Sequence, residues 1–269
     1  MDSLLVAWGL VGMLAGLLAG LMGVGGGLVM VPALLFLMPW AGLEPARPAH
    51  VAVGTSLAAI VPIAIASMWA HHRRGAVEWR QVGRLAPGLA VGGWSGAWVA
   101  DRLDTAWLQT LFGGFLLLVA WQMARGAAGK ERAVSGAVPL FLPLDVAAGW
   151  AIGLVSGLVG IGGGTLTVPY LVWRGRAMAR AVATSAACGL PIALAGAAGF
   201  VHFGRHADLD LASGYLYWPA VLAMAPAAVA MAPVGARLAH ALPVPRLKRL
   251  FSGVLLLVAA RLLFSGWGG

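Results

Sequence analysis

Seven long runs of the chain contain no charged residue, and they constrain the fold more than any other feature of the sequence. The runs cover residues 3–43, 51–70, 85–100, 105–124, 146–173, 181–201 and 211–236. A helix needs about 20 apolar residues to cross the hydrocarbon core of a bilayer. Soluble domains carry roughly 25% charged residues, whereas this chain carries 10%. The runs therefore predict an all-α integral membrane protein, a multi-pass protein of the cell membrane (the inner membrane in a bacterium).

Three motifs occur twice, in the same order. The stretch GLMGVGGGLVMVPALL at residues 20–35 returns as GLVGIGGGTLTVPYLV at 157–172. RPAHVAVGTSLAAIVP at 47–62 returns as RAMARAVATSAACGLP at 176–191, and LFGGFLLLVA at 111–120 returns as LFSGVLLLVA at 250–259. The offsets are 137, 129 and 139 residues. They predict a single transmembrane domain made of two repeats, 1–126 and 145–269, joined by a cytoplasmic linker at 127–144.

Charge predicts opposite orientations for the two repeats. Lysine and arginine accumulate in cytoplasmic loops, and 14 of the 18 in this chain lie in or beside four loops, at 71–82, 125–144, 174–180 and 237–249. Placing these loops in the cytoplasm leaves the second repeat's loop at 202–210 outside, although its counterpart at 71–82 is inside. Both termini are then outside as well. The basic loops face anionic lipid headgroups, which accounts for the net charge of +9 without nucleic-acid binding.

The first segment of each repeat is interrupted by a cluster of glycines. In the second repeat this segment, 146–173, lies between two basic loops and must cross an even number of times, yet its 28 residues are too few for two full spans. We therefore predict a helical hairpin that turns within the membrane, where irregular backbone is tolerated only inside protein or beside a water-filled cavity. The alternative is that the glycines only allow close helix packing.

Three ordinary spans follow the hairpin in each repeat. We place them near 51–70, 83–100 and 105–124 in the first repeat, and near 181–201, 212–236 and 250–266 in the second. The predicted fold is thus two inverted-topology repeats, each a glycine-broken hairpin plus three transmembrane helices, with about eight hydrophobic segments in all. Inverted repeats around a site at the membrane midplane are typical of secondary transporters.

The helix that follows each turn begins with N–H groups that lack a partner in the helix, and together with the helix dipole these groups favour an anion. Hydroxyl pairs also recur at equivalent positions, and hydroxyls can donate hydrogen bonds to an anion. The alternative for a membrane serine or threonine is a hydrogen bond to a backbone carbonyl one turn earlier. We predict a small anionic substrate bound by Gly23, Gly25, Gly26, Gly27, Thr55, Ser56, Gly160, Gly162, Gly163, Gly164, Thr184 and Ser185.

Few other residues with reactive or ionisable side chains fall within the apolar runs. His50 is not part of the repeated pattern, and Arg261 is expected to extend to the outer interface. Cys188 is interpreted as an apolar filler, with a substrate contact as the alternative. Asp145 is expected to mark the cytoplasmic edge of a span. The sequence contains no Walker-type phosphate loop, no HExxH motif and no acid–base pair at depth, which predicts that the protein is not an enzyme and uses no cofactor or metal.

These residues resemble the TauE/SafE family of membrane permeases, often labelled sulfite or sulfoacetate exporters. The resemblance rests on the doubled G-x-x-G-[VI]-G-G-G-x-x-x-VP motif at 20–32 and 157–169, with GTS at 54–56 and its partner ATS at 183–185. It covers nearly the whole chain. It implies a permease that moves small, often sulfur-containing anions such as sulfite or organosulfonates out of the cytoplasm.

The predicted function is therefore secondary transport, and export in particular, of a small anion by alternating access. A passive anion channel is the nearest alternative. A second alternative is an accessory membrane subunit that carries no substrate of its own.

Overall fold

The computed structural model describes residues 2–22, 26–126, 142–207, 209–241 and 244–265, and nearly all of them are helical. The first repeat contains the helices α1 (Asp2–Met22), α2 (Gly27–Trp40), α3 (Pro48–Arg73), α4 (Trp79–Arg102) and α5 (Thr105–Gly126). The second contains α6 (Leu142–Val159), α7 (Gly164–Trp173), α8 (Met178–Phe203), α9 (Trp218–Ala241) and α10 (Val244–Ser265). Most of the predicted linker, residues 127–141, lies outside the described part of the chain.

Helix length confirms the predicted hairpins. Within the described residues, five helices are long and apolar enough to cross a bilayer, among them α3 and α8. In contrast, α7 has 10 residues and α2 has 14, which at 1.5 Å per residue gives roughly 15 and 21 Å. Both are too short for a hydrocarbon core of about 30 Å. Each hairpin therefore has a short second arm that reaches only part of the way across.

The equivalent helices α3 and α8 run antiparallel through the centre of the molecule. A Cβ atom at Gly54 would lie 3.0 Å from the Cβ atom of Phe200, and one at Gly196 would lie 2.9 Å from Leu57. Farther along, Ile60 shares an apolar cluster with Ala193. Along these contacts the residue numbers rise on α3 and fall on α8, so the two helices run in opposite directions. Two equivalent helices of opposite direction confirm the inverted arrangement of the repeats.

The first helix of each repeat packs against a helix of the other repeat: α1 packs against α9, and α6 packs against α4. In both pairs the two helices run parallel. Glycines spaced four residues apart on α4 face glycines with the same spacing on α6, so that the two backbones touch. Such small-residue seams are the usual means of close packing between membrane helices. The seam consists of Gly88, Gly92 and Gly96 on α4 and Gly149, Gly153 and Gly157 on α6. On the opposite side, Gly12 and Gly16 of α1 pack in the same way against Met224 and Ala228 of α9.

Loop contacts show which loops share an end of the molecule. The loop after α3 and the loop after α7 lie at one end, where Glu78 pairs with Arg176 at 3.1 Å. At the other end, Arg47 lies 3.4 Å from Asp101 and donates to the Tyr215 hydroxyl. Tyr215 belongs to the connection between α8 and α9, so the equivalent connections α3–α4 and α8–α9 lie at opposite ends.

One predicted span begins later than expected. The segment placed at 212–236 starts with a small antiparallel hairpin, β1 (Ala212–Ser213) and β2 (Leu216–Tyr217), and α9 begins only at Trp218. The Tyr215 hydroxyl, at the tip of this hairpin, donates to Asp101 at 3.0 Å. Burial raises the pKa of Tyr215, and the bond to Asp101 raises it further. The residues of this hairpin are apolar because they pack against the protein, not because they belong to the membrane-spanning helix.

Candidate functional site

The turn of the second hairpin is buried in the middle of the protein. Helix α6 ends at Val159 and α7 begins at Gly164. Between them Gly160 and Gly163 each have a φ of 75°, a left-handed conformation that glycine adopts without steric cost. All residues from 159 to 165 are buried. The glycines are therefore required by the turn itself.

The turn of the first hairpin is described only in part. Gly26 precedes α2 with an ordinary helical φ of −69°, and Gly27 is the first residue of the helix. Gly23 and Gly25, which the sequence also predicts as binding residues, lie outside the described residues.

The two turns touch each other. A Cβ atom at Gly27 would overlap the carbonyl oxygen of Gly160 and lie 3.0 Å from the Cα atom of Ile161. The Ser56 hydroxyl donates to the same Gly160 carbonyl at 3.0 Å. The backbones of the two repeats therefore meet directly at the site for which the sequence predicted anion binding.

The recurring threonines make equivalent long-range hydrogen bonds. The Thr55 hydroxyl oxygen accepts from the backbone N–H of Tyr217 at 3.0 Å, just before α9 begins. Thr184 accepts from the N–H of Glu78 at 3.1 Å, just before α4 begins. Each threonine thus ties a central helix to the start of a helix in the other repeat. These bonds differ from the local carbonyl bond considered as the alternative.

Ser185 differs from its counterpart Ser56. The Ser185 side chain is buried, and no described residue accepts or donates a hydrogen bond to its hydroxyl. Three further buried hydroxyls around the second turn share this property, and the sequence analysis missed them. They are Ser156, Thr165 and Thr167.

These three hydroxyls belong to the second repeat alone. Ser156 and Thr167 flank the turn, because a Cβ atom at Gly163 would lie 3.7 Å from the Ser156 oxygen and 3.5 Å from the Thr167 oxygen. Thr165 lies in the first turn of α7. The difference between the motif copies, TLTVP at 165–169 against LVMVP at 28–32, is the signal in the sequence that would have identified two of them.

The start of α7 also presents unpaired backbone donors. The N–H groups of Leu166 and Thr167 donate to the Gly163 carbonyl at 3.1 and 2.8 Å. The N–H groups of Gly164 and Thr165 have no backbone partner within the described part of the chain. Unpaired N–H groups at a helix N-terminus favour an anion, so amides and hydroxyls here can replace part of an anion's hydration shell.

A second buried polar cluster lies at the open end of the same hairpin. Arg174 contacts Asp145 at 3.0 Å, and both side chains are almost fully buried, 1% and 0% exposed. The Tyr170 hydroxyl donates to the same carboxylate at 2.7 Å, and Gln81 of α4 lies 3.4 Å away. The sequence analysis placed position 174 in a basic loop, and Arg174 does follow Trp173, the last residue of α7. It did not predict that the folded chain buries this arginine together with Asp145.

The remaining candidates contact carbonyl, apolar or aromatic groups. The His50 ring nitrogen Nε2 is 2.9 Å from the carbonyl oxygen of Ala100, near the Tyr215 end of the molecule. Cys188 lies in an apolar cluster with Leu171, as expected for an apolar filler. Arg261 covers the ring of Phe36 at 4.4 Å.

The site between the turns is closed in this structure. Thr55, Ser56, Thr184 and Ser185 are at most 2% exposed. Two clefts on the described surface lie elsewhere, one beside Trp150 between α4 and α6, the other beside Arg261. A substrate could reach the turns only after a movement of the helices.

The chain is similar to a known protein family and to several membrane transporter proteins. A family model described as "Sulfite exporter TauE/SafE" matches residues 8–262. The chain is 35% identical to a probable membrane transporter protein of Haemophilus influenzae over 252 residues, 93% of this chain and 94% of the relative. It is 27% identical to the probable membrane transporter protein YunE of Bacillus subtilis, over 95% of this chain and 96% of the relative. It is 30% identical to the probable inner membrane transporter protein TsaS of Comamonas testosteroni, over 67% of this chain and 70% of the relative. No solved structure matches the chain.

Proposed function

Because the chain belongs to the TauE/SafE sulfite exporter family and is a multi-pass membrane transporter, we propose that it exports a small anion by secondary transport. The substrate class is sulfite or an organosulfonate. The anion binds between the two glycine turns and crosses the membrane by alternating access.

One observation carries this proposal: a buried set of unpaired donors surrounds the second glycine turn, whose backbone also touches the first turn. Moving an ion out of water into an apolar interior costs many kcal/mol unless hydrogen bonds replace its hydration. The N–H groups of Gly164 and Thr165 and the hydroxyls around them supply such bonds. Each buried hydroxyl without a partner otherwise costs about 1–3 kcal/mol, so a ligand that accepts these bonds would recover that cost.

The closed site and the inverted repeats support alternating access. In an inverted-repeat transporter, the two halves exchange conformations about the fixed central site. The pairs α1–α9 and α6–α4 are equivalent contacts across the repeats. Opening one seam while the other stays closed would expose the turns to one side of the membrane at a time.

The structure also bears on the alternative of a passive channel. A channel needs a continuous water-filled path, whereas the described residues at both turns are buried on all sides. The experiment below still includes the passive channel and the accessory subunit among its outcomes.

The test is anion flux in proteoliposomes that contain only this chain. We expect saturable uptake of labelled sulfite and acceleration by unlabelled sulfite inside, because a carrier exchanges substrate across the membrane. Flux without this acceleration would indicate a channel, and absence of flux would indicate an accessory subunit. Everted membrane vesicles, in which export appears as uptake, test the direction.

Melting temperatures with sulfite, thiosulfate, sulfoacetate, sulfate and lactate compare the substrate candidates. A ligand that binds only the native protein at 100 times its Kd stabilises it by about 2.7 kcal/mol. A melting temperature raised by lactate but by no sulfur oxyanion would contradict the proposed substrate class.

A further inference from the structure

We propose that a single anion binds between the turns through donors of the second repeat alone, and that the charge of its site selects oxyanions with one negative charge over those with two. The site consists of the hydroxyls of Ser156, Thr165 and Thr167 and the free N–H groups of Gly164 and Thr165. This inference rests on the proposed function and specifies the substrate class of that transport.

The three hydroxyls are placed to act together. Ser156 is on α6, one turn before the glycines, and Thr165 and Thr167 are in the first turn of α7, directly after them. Their side chains are 1%, 7% and 0% exposed, and none has a hydrogen-bond partner within the described residues. Ser156 and Thr167 approach the same point at Gly163. A buried hydroxyl of a native protein is normally paired, so three unpaired ones around one turn indicate that the turn can bind a ligand that accepts their hydrogen bonds.

The first repeat has no hydroxyls at the equivalent positions. At the offset of 137 residues, Ser156, Thr165 and Thr167 correspond to Ala19, Leu28 and Met30. Leu28 and Met30 are buried in the apolar core. The second repeat alone therefore carries these hydroxyl donors. Their presence in one repeat makes the site asymmetric and gives one anion per molecule rather than two.

Among the side chains that the structure describes around the second turn, none is a cation that would compensate the charge of the anion. The side chains that meet the second turn from neighbouring helices are neutral: Val31, Val53, Ile60 and Ile192 are apolar, and Ser56 brings a hydroxyl that donates to the Gly160 carbonyl. Arg174 lies at the other end of α7, roughly 15 Å along the helix axis, and Asp145 already neutralises it. The donors of the site are thus neutral amides and hydroxyls.

A neutral site discriminates by charge. The cost of removing an ion from water grows with the square of its charge, whereas its attraction to fixed dipoles grows only in proportion to the charge. At constant shape, doubling the charge therefore raises the free-energy cost of dehydration more than it raises the free energy gained from the dipoles of the site. A sulfonate or hydrogensulfite, which presents several acceptor oxygens with one charge, fits this site better than sulfate, which has similar S–O geometry with two charges.

The experiment is isothermal titration calorimetry on the purified full-length chain with sodium methanesulfonate and with sodium sulfate at equal ionic strength. We expect methanesulfonate to bind with one site per molecule and at least tenfold more tightly than sulfate. Thr165→Val and Thr167→Val should each weaken methanesulfonate binding about tenfold, the loss for one hydrogen bond to a charged acceptor. Neither change should lower the melting temperature, because neither hydroxyl has a partner to lose.

Ser95→Ala provides the matched control, because the Ser95 hydroxyl is exposed and bonds only to the Val91 carbonyl of its own helix. Its methanesulfonate affinity should equal that of the unmodified chain. Sulfate binding as tight as methanesulfonate would overturn the selection by charge. Unchanged affinity in both threonine variants would overturn the site. A lowered melting temperature in either variant would overturn the premise that its hydroxyl is free for a ligand.

Flux in proteoliposomes separates this inference from the proposed function. If the unmodified chain transports and both variants bind methanesulfonate normally, the transport proposal stands and the site is wrong. If the variants lose binding while the unmodified chain gives no flux, the site stands and the transport proposal is wrong.

Discussion

Replacing Gly27 by alanine tests whether the two glycine turns meet as the structure describes. The new Cβ atom would overlap the Gly160 carbonyl oxygen and lie 3.0 Å from the Cα atom of Ile161. Ordinary contacts of a Cβ atom begin at about 3.4 Å. Both neighbours are backbone atoms of a turn fixed by two left-handed glycines, so neither can move aside as a flexible side chain could. The second turn must shift away from α2.

The expected magnitude follows from three effects. Forcing an extra methyl group into a packed interior costs about 1–3 kcal/mol. Displacing the Gly160 carbonyl also weakens its hydrogen bond from Ser56, which is worth about 0.5–1.5 kcal/mol. Against these costs, alanine at a helical position gains about 1 kcal/mol over glycine. We expect Gly27→Ala to lower the free energy of unfolding by roughly 1–3 kcal/mol and to slow sulfite counterflow, because the two turns form the proposed site.

The assay is a melting curve followed by tryptophan fluorescence, together with sulfite counterflow in proteoliposomes. Gly83→Ala is the matched control, because it lies on the exposed face of α4 with nothing within 4 Å of the new methyl group. That change should raise stability by about 1 kcal/mol through helix propensity and leave counterflow unchanged.

A second alanine variant separates contact between the turns from general sensitivity of the motif. The atoms nearest to a Cβ atom at Gly26 would be the side-chain atoms Ala15 Cβ and Met30 Cε, both at 3.3 Å, and the Ala15 carbonyl oxygen would lie at an ordinary contact distance of 3.6 Å. The backbone of Gly26 already has an ordinary helical conformation. Gly26→Ala should therefore be less destabilising than Gly27→Ala. Equal melting temperatures for Gly27→Ala and Gly83→Ala would refute the direct meeting of the turns.

Three further predictions concern the buried ion pair, the Ser56 hydrogen bond and the orientation of the chain in the membrane. Asp145→Asn should destabilise the protein by about 3–5 kcal/mol, because Arg174 would remain as an uncompensated buried charge, whereas replacing both residues by leucine should cost much less; melting curves of the single and double variants compare the two. Ser56→Ala should lower the free energy of unfolding by about 0.5–1.5 kcal/mol through loss of its bond to the second turn, and a stability equal to that of the unmodified chain would contradict that bond. In the variants Ala76→Cys and Ala207→Cys, an impermeant maleimide should label the first from the cytoplasm and the second from outside, and labelling of both from one side would contradict the predicted orientation.

Much of the fold was predictable because its signals are local in the sequence. Apolar runs identify helices that cross a bilayer, since the cost of exposing polar groups to lipid applies to each segment separately. The glycine cluster at 160–164 predicted the break between α6 and α7, because glycine destabilises helices wherever it occurs. The start of α9 was placed too early because apolar residues at 212–217 look the same whether they enter the bilayer or pack as a β-hairpin on the protein.

The site was predictable only in part. The motif identified Gly160 and Gly163 as turn residues, and both adopt the positive φ that requires glycine. The partners of Thr55 and Thr184 lie 162 and 106 residues away along the chain, so no local pattern could identify them. The pairing of Asp145 with Arg174 likewise depends on the return of α7 along α6.

The sequence by itself determined that the chain is a membrane protein of two inverted repeats, each with a glycine-broken hairpin. Hydropathy, charge placement and internal repetition are properties of segments of the sequence, so they can be recognised without knowing how the segments pack. Only the tertiary structure decided which polar groups meet. The first repeat buries Leu28 and Met30 in an apolar core, whereas the second buries Thr165 and Thr167 without hydrogen-bond partners among the described residues. Hydrogen bonding inside a low-dielectric interior depends on which atoms the packed helices bring within reach, and that is a property of the assembled fold.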